Sequence, residues 1–130
     1  MVKKLMFCVA VVAVVAGVPA AAQQPEPVKR TVLQKNDFPG EKMSTLLVLI
    51  EIAPNFVIAR HTHPGIETGY VLDGEVILTV DGQGEKTVKA GESYTNPATI
   101  PHIAKGGPQG VKVIATFIVD KDKPLAAPAP

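Results

Sequence analysis

Apolar positions between residues 31 and 120 fall in short runs that are separated by Gly, Pro, Asn and Asp. Short runs rich in Val, Ile and Leu and bounded by turn residues are typical of β-strands. No run is convincing as an amphipathic helix. The pattern therefore predicts an all-β domain, built as a sandwich or as a closed barrel. We expect its strands at residues 31–33, 44–52, 56–63, 67–72, 75–80, 85–89, 93–96, 101–104 and 111–119.

Turn residues set the expected connections between these strands. Asp73-Gly74 is predicted to turn the chain between the strands at 67–72 and 75–80, and residues 106–108 (Gly-Gly-Pro) are predicted to form a turn before the last strand. The strands at 44–52 and 111–119 are apolar on both faces. Together they carry more apolar surface than the interior of one small barrel can bury. We therefore expect a homodimer.

The first 22 residues have the pattern of a signal peptide. A short basic start, Lys3-Lys4, precedes an apolar run from Leu5 to Val18, and small residues follow up to Ala22. The run is short for a membrane span, so a retained anchor is the weaker alternative. The prediction is cleavage after Ala22, with a periplasmic or secreted protein that has no membrane association after cleavage.

The rest of the chain divides by composition. Residues 23–30 are polar and contain Pro, and are predicted to be a flexible lead-in to one domain at residues 31–120. Residues 121–130 are rich in Pro and Ala and are predicted to be disordered. Three prolines in this C-terminal segment make its pairing into a sheet unfavourable.

Charge and cysteine content narrow the range of partners. The formal net charge is +1, with 13 basic and 12 acidic residues, and no basic run or acidic tail is present. We therefore expect no nucleic-acid partner. Cys8 is the one cysteine and lies in the predicted signal peptide, so the mature chain can form no disulfide.

The three histidines are the main chemical feature of the sequence. His61 and His63 are two residues apart, so in a strand they project to the same face, while Arg60 projects to the other and is expected to be solvated. Pro64-Gly65 then turns the chain, so that Glu67 can point back toward the same place. Together with His102, these side chains form a plausible set of ligands for one metal ion. Singly, each histidine would be read as an ordinary surface or hydrogen-bonded residue.

The spacing of these residues also defines a family resemblance. The stretch HTHPGIETGYVLDG (residues 61–74) resembles the first conserved motif of the cupin superfamily, and AGESYTNPATIPH (residues 90–102) resembles the second. Asn55, Ala90 and Gly106 depart from the family pattern, all at turns. The resemblance implies a double-stranded β-barrel of jelly-roll type. It also implies one divalent metal ion (Zn, Mn, Ni, Cu or Fe). The residues at the ligand positions of the two motifs are His61, His63, Glu67 and His102.

The resemblance does not fix a reaction, because cupin folds host many activities. The leading expectation is a dioxygenase-like enzyme of the quercetin-dioxygenase type that acts on a small organic molecule, with Glu67 as the candidate catalytic residue. A non-catalytic protein that binds a metal or small ligand is the alternative, and a sugar isomerase or lyase is a weaker one. Tyr70, Tyr94 and Asn96 are expected either to line a pocket or to pack in the core or at its rim.

Overall fold

The computed structural model describes residues 26–130, so the predicted signal peptide at residues 1–22 lies outside the described residues. The described part is all-β, as predicted. No helix in it is long and apolar enough to cross a membrane. Its eight strands are β1 (Val28–Asp37), β2 (Met43–Ile52), β3 (Val57–Thr62), β4 (Gly65–Val80), β5 (Gly84–Lys89), β6 (Ser93–Asn96), β7 (His102–Asp120) and β8 (Ala127–Pro128).

Two long strands connect the two halves of the fold. The first half of β4 pairs with the second half of β7, and the second half of β4 pairs with the first half of β7. Strands β1, β2 and β6 extend one half, while β5, β3 and β8 extend the other. All of these pairs are antiparallel. The two halves share one apolar core because β4 and β7 run through both.

The predicted turn at Asp73-Gly74 is wrong. The chain continues in the same direction, because β4 keeps pairing with β7 on both sides of an irregularity in the register at these residues. Gly74 has φ 72°, and a Cβ there would lie 2.2 Å from the Gly110 carbonyl oxygen, so only glycine fits this bend. The predicted turn at residues 106–108 is likewise part of the continuous strand β7.

The core follows from strict alternation along the long strands. On β7 every second residue from Val111 to Val119 is buried, and Phe117 is 1% exposed. Full burial of a Val or Phe side chain stabilises the fold by about 1.5–3 kcal/mol. The inward faces of β2 and β4 complete this core with Val48, Ile50, Ile52, Val71, Val76, Leu78 and Val80.

Both ends of the described chain take part in the sheet, which the sequence did not predict. Strand β1 begins at Val28, inside the predicted flexible lead-in, because it pairs along the whole length of β2. At the other end, β8 pairs with β3, so the prediction that residues 121–130 stay outside the sheet is wrong. Pro128 is tolerated because β8 is a two-residue strand at the sheet edge, where no further ladder bond is required.

Candidate metal centre

The structure brings the four predicted ligand residues together in the barrel interior. His61 lies at the end of β3 and His63 follows that strand, while Glu67 lies on β4 and His102 begins β7. The four residues, called the ligand cluster below, are between 1% and 8% exposed. His61 and His102 are direct partners in the pairing of β3 with β7, so their side chains share a face.

The distances within the ligand cluster suit a single ion. One ring nitrogen from each histidine lies within 4.8 Å of the others. The Glu67 Oε2 atom is 3.1 Å from His63 Nε2 and 3.8 Å from His102 Nε2. The four residues can therefore hold one metal ion between them.

Each histidine ring is oriented by a backbone carbonyl. Nδ1 lies 2.7 Å from the Ala59 oxygen in His61, and 3.0 Å from the Ile100 oxygen in His102. In His63, Nδ1 lies 2.6 Å from the oxygen of Leu125. A carbonyl only accepts hydrogen bonds, so each neutral ring carries its proton on Nδ1 and leaves the lone pair of Nε2 free.

These tautomers leave the interior of the cluster with acceptors and no donor. When the His63 ring is neutral, its Nε2 and Glu67 Oε2 both present lone pairs across 3.1 Å. His102 Nε2 is buried and has no hydrogen-bond partner among residues 26–130. Buried acceptors that face one another are costly unless a proton or a cation lies between them. This group of converging lone pairs therefore fits a bound cation.

Burial keeps His61 and His102 neutral. It lowers the pKa of His61 from 6.5 to about 4, and it also lowers the pKa of His102. Neutral imidazole is the form that binds a metal ion. At neutral pH these two rings therefore need no deprotonation before they bind one.

The Glu67 carboxylate is held by two side chains that sequence reasoning did not assign to it. The Tyr94 hydroxyl donates to Oε1 at 2.8 Å, and the Asn96 amide donates to Oε2 at 2.9 Å. Burial by itself raises the pKa of Glu67, but a positively charged His63 ring and the hydrogen bonds from Asn96 and Tyr94 together lower it overall, so the group is a carboxylate. Both oxygens therefore have fixed positions before any ion binds.

Strand register explains how Tyr94 and Asn96 reach Glu67. Asn96 is the direct partner of Glu67 in the pairing of β6 with β4, and Tyr94 is the partner of Gly69. A Cβ on Gly69 would lie 2.3 Å from the Tyr94 ring, so this glycine makes room for the tyrosine. Burial raises the pKa of Tyr94 well above 10, and the nearby Glu67 raises it further, so the hydroxyl stays a donor.

Two adjoining spaces lead to the ligand cluster. The interior cavity is about 30 Å³ and is lined by the cluster together with Tyr94, Asn96 and apolar core residues. It holds an ion and one or two waters at most, because one water needs roughly 10–15 Å³. A wider outer groove of about 340 Å³ lies between β3 and residues 125–128 of the C-terminal segment, and His61 and His63 line both spaces.

Comparison with known proteins identifies the class to which this fold and site belong. Residues 48–115, more than half of the chain, match the family model described as Cupin domain, so the chain belongs to the cupin family. This confirms the resemblance inferred from the two motifs. The double-stranded β-barrel prediction is confirmed as well.

Solved structures with the same fold have low sequence identity to this chain. A cupin superfamily protein from Desulfitobacterium hafniense DCB-2 is 19% identical, with a TM-score of 0.60 over 79% of this chain and 84% of that chain. A Cupin 2 conserved barrel domain protein from Leptotrichia buccalis is 26% identical, with a TM-score of 0.60 over 75% and 44%. The DMSP lyase DddQ from Ruegeria pomeroyi DSS-3 is 15% identical, with a TM-score of 0.61 over 65% and 43%.

Two curated relatives match a shorter stretch of sequence. They are the HTH-type transcriptional regulators PuuR of Escherichia coli K12 and of Shigella flexneri, each 49% identical over 43 residues. The match covers 33% of this chain and only 23% of the regulators. The chain therefore aligns with about a quarter of their length.

Proposed function

We propose that this protein is a single-domain cupin that holds one divalent metal ion through the Nε2 atoms of His61, His63 and His102 and the carboxylate of Glu67. The observation that carries the proposal is the set of converging acceptors. Three ring nitrogens lie within 4.8 Å of one another, and the Glu67 oxygen lies beside two of them. In the described part of the chain, His102 Nε2 has no hydrogen-bond partner. A bound cation satisfies all of these groups at once.

The protein residues around the ion have distinct roles in this proposal. The carbonyls of Ala59, Ile100 and Leu125 hold the rings in the tautomer that binds metal. Tyr94 and Asn96 hold the carboxylate. When bound, the ion (Zn, Mn, Ni, Cu or Fe) supplies a Lewis acid to a small ligand at its open coordination positions.

Glu67 is better suited to hold the ion than to act as a free general base. Both of its oxygens already accept hydrogen bonds, and its low pKa makes it a weak base at neutral pH. We therefore propose Glu67 as a ligand first, with any catalytic role secondary.

The activity we propose is dioxygenase-like turnover of a small organic molecule. The alternative is a non-catalytic protein that binds a metal or small ligand, and a sugar isomerase or lyase is the weaker alternative. The interior cavity of about 30 Å³ excludes a large substrate, so the body of any such molecule must lie in the outer groove. The absence of a nucleic-acid partner remains a prediction, since the PuuR match covers only 23% of that regulator.

Metal loading and turnover test these proposals together. Elemental analysis of wild-type protein should give one ion per chain, and the His61→Ala and His102→Ala variants should lose it. Panels of flavonols and sugar acids, assayed with and without added metal, then separate the activities. Metal-dependent flavonol turnover supports the dioxygenase, sugar-acid conversion supports the isomerase or lyase, and stoichiometric metal without turnover supports the binding protein.

We also propose that the protein is exported and loads its metal outside the cytoplasm. The basic start, the apolar run and the small residues before Ala22 support this proposal. An exported chain takes the ion that is available outside the cytoplasm, and we expect mainly Zn, Cu, Ni or Mn. Zn, Cu and Ni bind such ligands more tightly than Fe, whereas Mn would be favoured by availability alone. Cell fractionation with N-terminal sequencing should recover a periplasmic or secreted chain that starts at Gln23, and stoichiometric Fe in that material contradicts the metal preference.

A homodimer is proposed on the outer face of β4 and β7. Ile66 and Ile118 are direct strand partners there and are 43% and 41% exposed, and Tyr70 on the same face is 47% exposed. Contiguous exposed apolar side chains of this kind mark interaction surfaces. Light scattering should give a dimer that an Ile118→Lys substitution converts to monomer, and a monomeric wild type at high concentration contradicts the proposal.

A further inference from the structure

The outer groove contains one arginine that makes no ion pair. Arg30 lines both the interior cavity and the outer groove. Among residues 26–130, Arg30 forms no salt bridge and no side-chain hydrogen bond, whereas the other groove arginine, Arg60, donates to both carboxylate oxygens of Asp81 and to the Pro130 carbonyl. One guanidinium therefore remains available to a ligand.

Strand register places Arg30 on the face of the sheet that lines the interior cavity. In the pairing of β1 with β2, Arg30 is the direct partner of Ile50, which is 6% exposed and lines the interior cavity. Direct partners share a face of the sheet, so Arg30 lies on the inner face. Its neighbour Lys29 lies on the outer face, opposite Glu51, and its Nζ is 3.9 Å from that carboxylate.

The remaining walls of the outer groove are mainly apolar. Ile58 and Ala59 on β3 form one side, and residues 125–128 (Leu-Ala-Ala-Pro) form the other. Its volume of about 340 Å³ lies at the lower end of the range of roughly 300–1,000 Å³ for small-molecule sites. The groove thus combines apolar walls with the guanidinium of Arg30, which also lines the interior cavity together with His61 and His63.

We propose that the outer groove binds a small organic acid whose carboxylate contacts Arg30 and whose apolar body lies between β3 and the C-terminal segment. A guanidinium fork matches a carboxylate with two parallel hydrogen bonds, which a neutral amide cannot reproduce. This inference rests on the proposed function in one respect: the acid is placed beside the proposed metal ion, which makes it the substrate or ligand class of that site.

Calorimetric titration with phenylacetate and its neutral analogue phenylacetamide tests the inference. Both probes are titrated into metal-free and into zinc-loaded full-length protein. The metal-free wild type should bind phenylacetate about ten-fold more tightly than phenylacetamide. Arg30→Gln should abolish this preference, and Arg30→Lys should retain only part of it. Lys29→Gln is the matched control, because it removes a neighbouring charge from the outer face and should leave the preference unchanged.

Three results would overturn the inference. They are no binding of phenylacetate by wild type, an equal loss of preference in Lys29→Gln, and a preference that appears only with zinc and survives in Arg30→Gln. The last result would mean that the carboxylate of phenylacetate binds the metal ion and not Arg30. A wild type that fails to take up zinc but keeps the Arg30-dependent preference would contradict the proposed metal centre and support the acid-binding groove.

Discussion

The C-terminal segment should control metal affinity through one backbone carbonyl. The Leu125 oxygen accepts the hydrogen bond from His63 Nδ1 at 2.6 Å, and Leu125 also packs against the core. Truncation after Pro124 removes this oxygen. His63 can then place its proton on Nε2, the atom that would bind the ion, and its ring is free to rotate.

The expected decrease in zinc affinity can be estimated from other metal sites in which a group that orients a ligand residue is removed. Removal of such a partner weakens metal binding by about 10- to 100-fold. The lost hydrogen bond itself contributes about 0.5–1.5 kcal/mol. Truncation after Pro124 should therefore weaken zinc binding by at least about ten-fold relative to wild type. A chelator competition titration measures this change directly.

Two controls separate the carbonyl from the packing of the segment. Leu125→Ala keeps the backbone oxygen and removes the side chain, so it should lower thermal stability while leaving zinc affinity within about two-fold. Truncation after Pro128 removes the Pro130 carbonyl that Arg60 contacts but retains Leu125, and it too should preserve affinity. Unchanged affinity after truncation at Pro124, or an equal loss in Leu125→Ala, would refute the role of the carbonyl.

Three further perturbations test the surroundings of the ligand cluster. Tyr94→Phe removes one of the two donors to Glu67 and should weaken zinc binding by about ten-fold, measured by the same competition titration, whereas unchanged affinity would contradict the role of the hydroxyl. Gly69→Ala places a Cβ 2.3 Å from the Tyr94 ring and should cost about 1–3 kcal/mol in denaturant unfolding, and an unchanged midpoint would contradict this packing. For the metal-free protein, stability should fall as pH drops from about 6.5 to about 4, because His61 stays neutral in the fold over this window while the unfolded chain takes up its proton. A flat unfolding profile across this pH range in wild type, or an unchanged profile in His61→Ala, would contradict the burial of a neutral ring.

Three members of the ligand cluster, His61, His63 and Glu67, could be selected from the sequence because their spacing is local. His61 and His63 are two apart on one strand, and Pro64-Gly65 returns the chain toward them. The strand pattern likewise gave the all-β class, since alternation and turn residues are local properties. His102 could be included only as the one remaining histidine and through the family resemblance, because nothing local relates it to residues about 40 positions earlier.

The features that were missed depend on pairing between distant strands. Tyr94 and Asn96 reach Glu67 only through the register of β6 against β4. Their spacing of two on one strand is the local signal that could have placed them on one face. Arg30 was assigned to a flexible lead-in because its strand is stabilised by β2 rather than by its own composition. The C-terminal segment was predicted to be disordered from its prolines, but its Leu125 is held by core contacts and by His63.

An anomalous-difference map from crystals of zinc-loaded protein tests the metal centre most directly. We expect one strong peak per chain within bonding distance of the Nε2 atoms of His61, His63 and His102 and of a Glu67 oxygen, and no such peak in crystals of a His102→Ala variant. A peak bound elsewhere, or an unchanged peak in the variant, would contradict the account.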